Sequence, residues 1–349
     1  MTLKTTVIGS WPKPKYLNLP DWFRTPSNKY DPRSHEAARK QQASDISQTI
    51  DKAVRNVIKT QVQLKLDVIT DGEMARENYI WHFCRGLNGF DFTNLEKTSI
   101  RDGAHTALLP RITGPISRRA PPSLFKEWKK AQSYTTIPVK ATIPGPLTIT
   151  DTAFNASSID RKALMVQLAK CINEEVSALV EAGCKHIQID DPCFMRNPDI
   201  ALLYGVDICS SCLDGVQLDG VTTILHLCCG YPEYLDQEGY KKADKNLYKR
   251  LAPALENSAF VAVSIEDAEA KNDLSMLMEF KRLQVILGSV AVARSRIETE
   301  EDIRNRLQEA LQYIPKERLI VAPDCGLGYL TEELAKEKLT NMVAAAKSL

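Results

Sequence analysis

The sequence has no apolar run long enough to span a bilayer. Its first residues, MTLKTTVIGSWP, lack the apolar core of a secretory signal. A soluble, cytoplasmic protein is therefore the expectation. There is no surplus of charge either: 45 Lys and Arg stand against 44 Asp and Glu. That balance gives no reason to expect nucleic acid or an anionic membrane as partner. A disulfide framework is also missing. Nine cysteines, an odd number, are scattered over 349 residues, which fits reduced thiols. Cys209-Ser-Ser-Cys212 has no second C-x-x-C to complete a structural zinc site and reads as incidental. No G-x-G-x-x-G follows an early strand, which weakens a doubly wound dinucleotide fold.

What is present is an alternation of short β-branched runs and amphipathic stretches. The strands expected are Thr5 to Ile8, Leu66 to Thr70, Pro138 to Ile143, His186 to Ile189, Thr222 to Leu227, Ala259 to Ile265, Gln284 to Leu287 and Arg318 to Val321. They are nearly continuous in apolar residues, as parallel strands buried on both faces should be. Helices are expected over Ser34 to Leu64, Pro122 to Ala131, Asp160 to Ala182, Leu247 to Glu256, Ser275 to Lys281, Thr299 to Gln312 and Glu332 to Lys347. Gly183 closes one of them, and Thr299 with Asp302 forms a capping box at the start of another. Eight alternating units in this length predict an α/β fold of the (β/α)8 TIM-barrel type, one domain over residues 1–349. Long insertions follow strands 1 and 2. They form lid-like segments at about 11–65 and 74–136, with a hairpin near Ala107 to Ile112.

In a barrel, the C-terminal strand ends meet at one mouth, and chemistry sits there. The strand ends here carry Ser10, Glu73, Asp190, Asp191, His226, Cys228, Glu266 and Cys325. His226 and Cys228 are two apart on a strand, so both face one side. Imidazole and thiolate are the ligand types zinc prefers. Cys229 points the other way and reads as a packing residue. Taken alone, His-x-Cys reads as a satisfied histidine beside buried thiols. The coincidence of His226, Cys228, Glu266 and Cys325 at strand ends makes a zinc site the better joint reading.

These strand ends resemble a known family. VIGSWPKP, ITDGEMARENYIWHF, IPGPLTI, IQIDDP, HLCCG, the SIED segment and VAPDCGLGYL look like the catalytic domain of cobalamin-independent methionine synthase. The resemblance runs from Val7 to the C-terminus. The same superfamily includes uroporphyrinogen decarboxylase and the epoxyalkane:coenzyme M transferases. The resemblance implies that His226, Cys228, Glu266 and Cys325 bind catalytic Zn2+. It also implies that Ser10, Glu73 and Asp190 hold the amino-acid part of a homocysteine-like thiol, with Glu73 and Asp190 as the catalytic acids. The implied activity is a zinc-dependent S-methyltransferase of methionine biosynthesis, of the 5-methyltetrahydropteroyltriglutamate–homocysteine type. Its partners would be a small-molecule thiol and an electrophilic alkyl donor: a folate, a corrinoid protein or a small methylated metabolite.

Three departures from the family pattern stand out. One barrel-sized domain is present, where the long methionine synthases carry two. The family's folate-stacking Trp after the GPxT motif is replaced by Thr150-Asp151-Thr152. The Asp-x-His-Ser segment after strand 7 reads Ala291-Val292-Ala293-Arg294. His82 is a weak substitute for the missing acid. The alternatives are an epoxide:thiol transferase or lyase of the coenzyme M type, and a zinc-binding protein that has lost catalysis. Retention of Glu73 and Asp190 favours an amino-acid thiol over the former.

Overall fold

The computed structural model describes residues 2–26, 29–41, 45–100 and 105–349. In chain order the elements begin with β1 (Lys4–Thr5), α1 (Arg33–Gln41), α2 (Asp45–Gln63) and α3 (Tyr79–Cys84). A long antiparallel hairpin follows, β2 (Leu87–Ile100) and β3 (His105–Arg118), then α4 (Leu124–Gln132) and β4 (Ala141–Pro144). Next come α5 (Pro146–Asp151), β5 (Phe154–Asn155), α6 (Arg161–Glu181) and β6 (His186–Asp190). Two short helices, α7 (Pro198–Ile200) and α8 (Val206–Ser210), lead to β7 (Thr222–Leu227) and α9 (Leu247–Glu256). The chain ends with β8 (Ala262–Ile265), β9 (Gln284–Val290), α10 (Glu300–Ala310), β10 (Leu319–Pro323) and α11 (Glu332–Lys347).

Seven strands form one sheet in the order β1-β10-β9-β8-β7-β6-β4. Every pairing in it is parallel. The sheet curls, and helices pack against it. Where a full strand was expected at Leu66 to Thr70, there are two isolated parallel bridges, Thr6 with Val68 and Ile69 with Val139. Side chains account for the short pairing. Asp67 Oδ2 takes the N–H and hydroxyl of Thr5, and Gln61 Oε1 takes the N–H of Thr70. Backbone groups engaged this way are satisfied without a ladder.

Local chemistry sets the helix ends. Asp160 caps α6 through the N–H of Ala163, and Gly183 leaves it at φ +99°. Thr299 and Asp302 complete the expected capping box on α10. The helix expected over Ser34 to Leu64 is seen as α1 and α2, with residues 42–44 outside the described set.

Alternation along the strands divides the sheet's two faces. Ile8, Ile224, Ala262, Ile286 and Ala322 form a small buried cluster of their own, apart from the main core under the helices. Two residues beyond Ile224 and Ala262, on the same faces, come His226 and Ser264. Strand register aligns Pro144, Asp190, His226 and Ser264 as successive partners across β4, β6, β7 and β8. The site is built on this line. The second, smaller sheet (β2-β3-β5) stands beside it, with residues of the hairpin on the wall of the same cleft.

Candidate active site

A cleft of about 660 Å³ opens at the C-terminal ends of the parallel strands. Ser10, Glu73, Asp190, His226, Cys228 and Cys325 all line it. Six of the seven residues expected to bind substrate or metal therefore meet in one place.

At the floor, one ligand atom each from His226, Cys228 and Cys325 lies within 4.8 Å of the others. His226 Nε2 is 3.4 Å from Cys325 Sγ, and Nδ1 lies 2.9 Å from Ser264 Oγ. The imidazole is thus held from behind while Nε2 faces the thiols, an arrangement common to metal-binding histidines. The hydrogen bond from Cys325 and burial push the Cys228 thiol well above its ordinary range. Burial is the largest influence on His226 and opposes its charge, but the hydrogen bond and charge of Cys228 together with the charge of Asp190 outweigh it and raise its pKa. Two thiols and an imidazole packed this way need a cation before both sulfurs can ionise. The donor set and its spacing fit zinc. Cys229 turns away, as expected, with its sulfur 3.7 Å from the Tyr248 hydroxyl.

Glu266 does not join this group. It is fully buried, and its Oε2 accepts from the N–H of Cys229 at 2.8 Å and from the Tyr231 hydroxyl at 3.2 Å. Its Oε1 lies 2.5 Å from Lys242 Nζ. Of the four side chains expected as ligands, His226, Cys228 and Cys325 stand together, and Glu266 faces its own partners.

The acids of the cleft differ in kind. Glu73 sits at φ +56°, a left-handed conformation unfavourable for a side-chain-bearing residue. Its Oε1 accepts from Thr142 Oγ at 2.8 Å, and Arg76 Nη1 is 3.6 Å away. A Cβ on Gly9 would come within 2.6 Å of that oxygen, so Gly9 makes room for it. Asp190 accepts from Gln188 Nε2 at 2.6 Å, and burial raises its pKa to about 6. Gln188 in turn accepts at 2.5 Å from Lys140, a fully buried lysine whose pKa burial lowers to about 7. Asp191 is not in the cleft lining. It accepts from the N–H groups of Leu147 and Thr148 and from the Thr148 hydroxyl, so it fastens the start of α5. Ser10 Oγ is buried, with no hydrogen-bond partner among the described residues.

His82 is tied to Glu127 at 2.9 Å and does not line the cleft. Ala291 and Ala293 are buried where the acid segment was expected. Arg118 pairs with buried Glu175 and Lys130 with Asp51.

Sequence reasoning missed the aromatic wall. Trp22, Phe23, Tyr79, Trp81, Tyr231 and Tyr329 all line the cleft. Trp22 packs on Tyr79 at 5.8 Å between ring centroids, and Phe23 meets Tyr329 edge-on at 5.1 Å. Trp81 Nε1 donates to the carbonyl of Thr152 at 3.3 Å. An aromatic ring therefore stands at the segment that lacks the family Trp, supplied by another element. The one available signal was the pair Trp22-Phe23 in a Pro-rich loop.

A parallel α/β sheet with a His-Cys-Cys cluster and acids at its C-terminal strand ends is the setting of a group-transferring enzyme. The chain belongs to the cobalamin-independent methionine synthase family. The family's catalytic-domain signature, "Cobalamin-independent synthase, Catalytic domain", matches residues 3–202 and 244–348. The protein is a methyltransferase of that family. A methionine synthase of Sulfolobus acidocaldarius is 32% identical over 345 residues, 98% of this chain and 90% of that one. One from Saccharolobus solfataricus is 30% identical over 357 residues, 99% of this chain and 94% of that one. In three dimensions, a B12-independent methionine synthase from Shewanella sp. W3-18-1, solved with selenomethionine, is similar with a TM-score of 0.87 and 27% identity. The match covers 100% of this chain and 98% of that one. His226 and Cys228 lie between the two matched blocks of the family signature. Among the described residues, no helix is long and apolar enough to cross a membrane.

Proposed function

We propose that the protein is a cytoplasmic, zinc-dependent S-methyltransferase that converts a homocysteine-like thiol to a thioether. The observation that carries this reading is the convergence of His226 Nε2, Cys228 and Cys325 at the floor of a cleft that also holds Glu73 and Asp190. Zinc held by His226, Cys228 and Cys325 would lower the pKa of a substrate thiol and favour its thiolate at neutral pH. Glu73 and Asp190 bind the substrate ammonium. Ser10, whose buried hydroxyl has no partner among the described residues, binds the carboxylate with nearby backbone N–H groups. These contacts fix the sulfur in line with the donor carbon. The S–C bond forms as the bond from carbon to its leaving group breaks. The aromatic wall shields the carbon from water and offers flat surfaces to the donor. Selenomethionine in the similar Shewanella enzyme supports an amino-acid acceptor of this kind.

The architecture belongs to the same proposal. The two bridges at Val68 and Ile69 join the edge strands β1 and β4, which supports a closed (β/α)8 barrel in one domain over residues 1–349. The hairpin β2–β3 and the segments around Trp22 and Trp81 serve as the lid.

Metal analysis of the purified protein, followed by homocysteine consumption with a panel of methyl donors, tests the reading. About one zinc per chain and donor-dependent formation of methionine are expected. A protein that takes up no zinc at micromolar metal would refute it.

A further inference from the structure

We infer that Lys140, acting through Gln188, positions Asp190 to receive the ammonium group of the thiol substrate. The inference rests on the amino-acid reading of the cleft given above. Lys140 stands just before β4, and Gln188 lies on β6, two residues before Asp190. Register pairs Thr142 with Gln188. Alternation puts Lys140 and Thr142 on one face of their strand, and Gln188 and Asp190 on one face of theirs. All four are buried. Lys140 Nζ donates to the Val7 carbonyl at 2.6 Å and to Gln188 Oε1 at 2.5 Å. Gln188 Nε2 donates to the Ile8 carbonyl at 2.9 Å and to Asp190 Oδ1 at 2.6 Å. The hydrogen bonds therefore run in one direction, from the lysine to the acid.

An ammonium donates only, so Gln188 must offer it the amide oxygen and keep its N–H groups for Ile8 and Asp190. Asp190 Oδ1 is thereby fixed as an acceptor, and a ligand in the cleft meets the other oxygen. Lys140 and Gln188 are each anchored on a backbone carbonyl, which cannot turn away as a side chain could. Burial pulls the Lys140 pKa down to about 7, and the charges of Asp190 and Glu73 act against this. The same acids thus offset the burial of its charge. Glu73 has a cation of its own in Arg76, 3.6 Å away. Lys140 is the corresponding cation for Asp190. It stands one amide removed, so it does not compete with the substrate for the carboxylate. Neither Lys140 nor Gln188 lines the cleft, and both are positioning residues.

The test compares zinc-loaded wild type, Lys140→Met, Gln188→Met and the double variant Lys140→Met/Gln188→Met. Each is titrated calorimetrically with homocysteine and, by competition, with 4-mercaptobutanoate, the same thiol acid without the amino group. Wild type should prefer homocysteine. Each single variant should bind homocysteine about 10-fold more weakly, the scale of one hydrogen bond to a charged group, and bind 4-mercaptobutanoate as wild type does. The double variant should be no worse than Lys140→Met, because the lysine acts through the glutamine. A general loosening of the fold would weaken both thiols alike, and that result overturns the inference. A folded Lys140→Met that keeps the wild-type preference overturns it as well and leaves the methyltransferase reading intact. If Lys140→Met does not fold, Gln188→Met decides by the same criteria. A wild type that binds both thiols equally removes the amino-acid pocket, and the inference with it.

Discussion

Asp190 and Asp191 are neighbours, yet Asp190 lines the cleft while Asp191 fastens the start of α5. Asp191 is fully buried and its pKa is raised by burial from 3.8 to about 7, despite the donors at Leu147 and Thr148. A carboxyl group whose folded pKa is raised contributes stability that is present below its unfolded pKa. That contribution is lost as pH rises through the folded value. Between pH 5 and pH 7 the loss is two pH units at 1.36 kcal/mol each, about 3 kcal/mol. Asp191→Asn keeps an acceptor for the start of α5 and cannot ionise. At pH 5, already about one unit past the unfolded value, wild type has lost about 1.6 kcal/mol, so the variant should be the more stable there by no more than about 2 kcal/mol. At pH 8 its advantage should be about 3 kcal/mol larger than at pH 5, or roughly 4 °C more in Tm at about 2.1 cal/mol/K per residue for a chain this size. Urea and thermal denaturation at the two pH values provide the measurement. If Asp191→Asn is instead less stable than wild type at pH 8, the three donors outweigh burial and the reasoning fails. Asp190→Asn is the counterpart. It lines the cleft, so its main effect should be a KM for the amino-acid thiol raised at least 10-fold, with zinc content unchanged.

Other expectations concern the metal and the cleft wall. Cys228→Ser and Cys325→Ser should each lose most of the zinc while keeping a native circular dichroism spectrum; full retention by elemental analysis in both would remove the ligand assignment. Ser264→Ala frees His226 Nδ1 and should weaken zinc binding about 10- to 100-fold without abolishing it. X-ray absorption of the zinc-loaded protein should gain one sulfur neighbour on addition of homocysteine, and an unchanged spectrum at saturation would count against amino-acid thiols. Trp81→Leu should raise the KM for a flat heteroaromatic donor more than the KM for the thiol; equal effects on both would show that the ring only packs.

Much of this was legible in the chain itself. β7, α9 and α11 lie where periodicity puts them, α9 even with Pro253 inside it. The His-x-Cys pair was readable because a strand places every second residue on one face. The segment at Leu66 to Thr70 looks like a strand in composition. Its pairing is cut short by Asp67 and Gln61, side chains whose reach no periodicity encodes. Glu266 occupies a strand end as expected, but its oxygens meet Cys229, Tyr231 and Lys242, which arrive from the long crossover between β7 and β8. The aromatic wall was hidden for a similar reason. Its rings come from around residues 22, 80, 231 and 329, and only folding brings them together.

Asp190, His226 and Ser264 occupy one transverse line across β6, β7 and β8. The chemistry is therefore written in the pairing register of three strands. A slip by one residue would turn every side chain of the moved strand to its opposite face. Slipping β8 alone would bring Val263 or Ile265 level with His226 and leave Nδ1 facing hydrocarbon. Insertions and deletions in such a protein are confined by this to the crossovers, where length is free. The strands themselves behave as words of fixed spelling: residues can be exchanged in place, but none can be added or dropped without erasing the site.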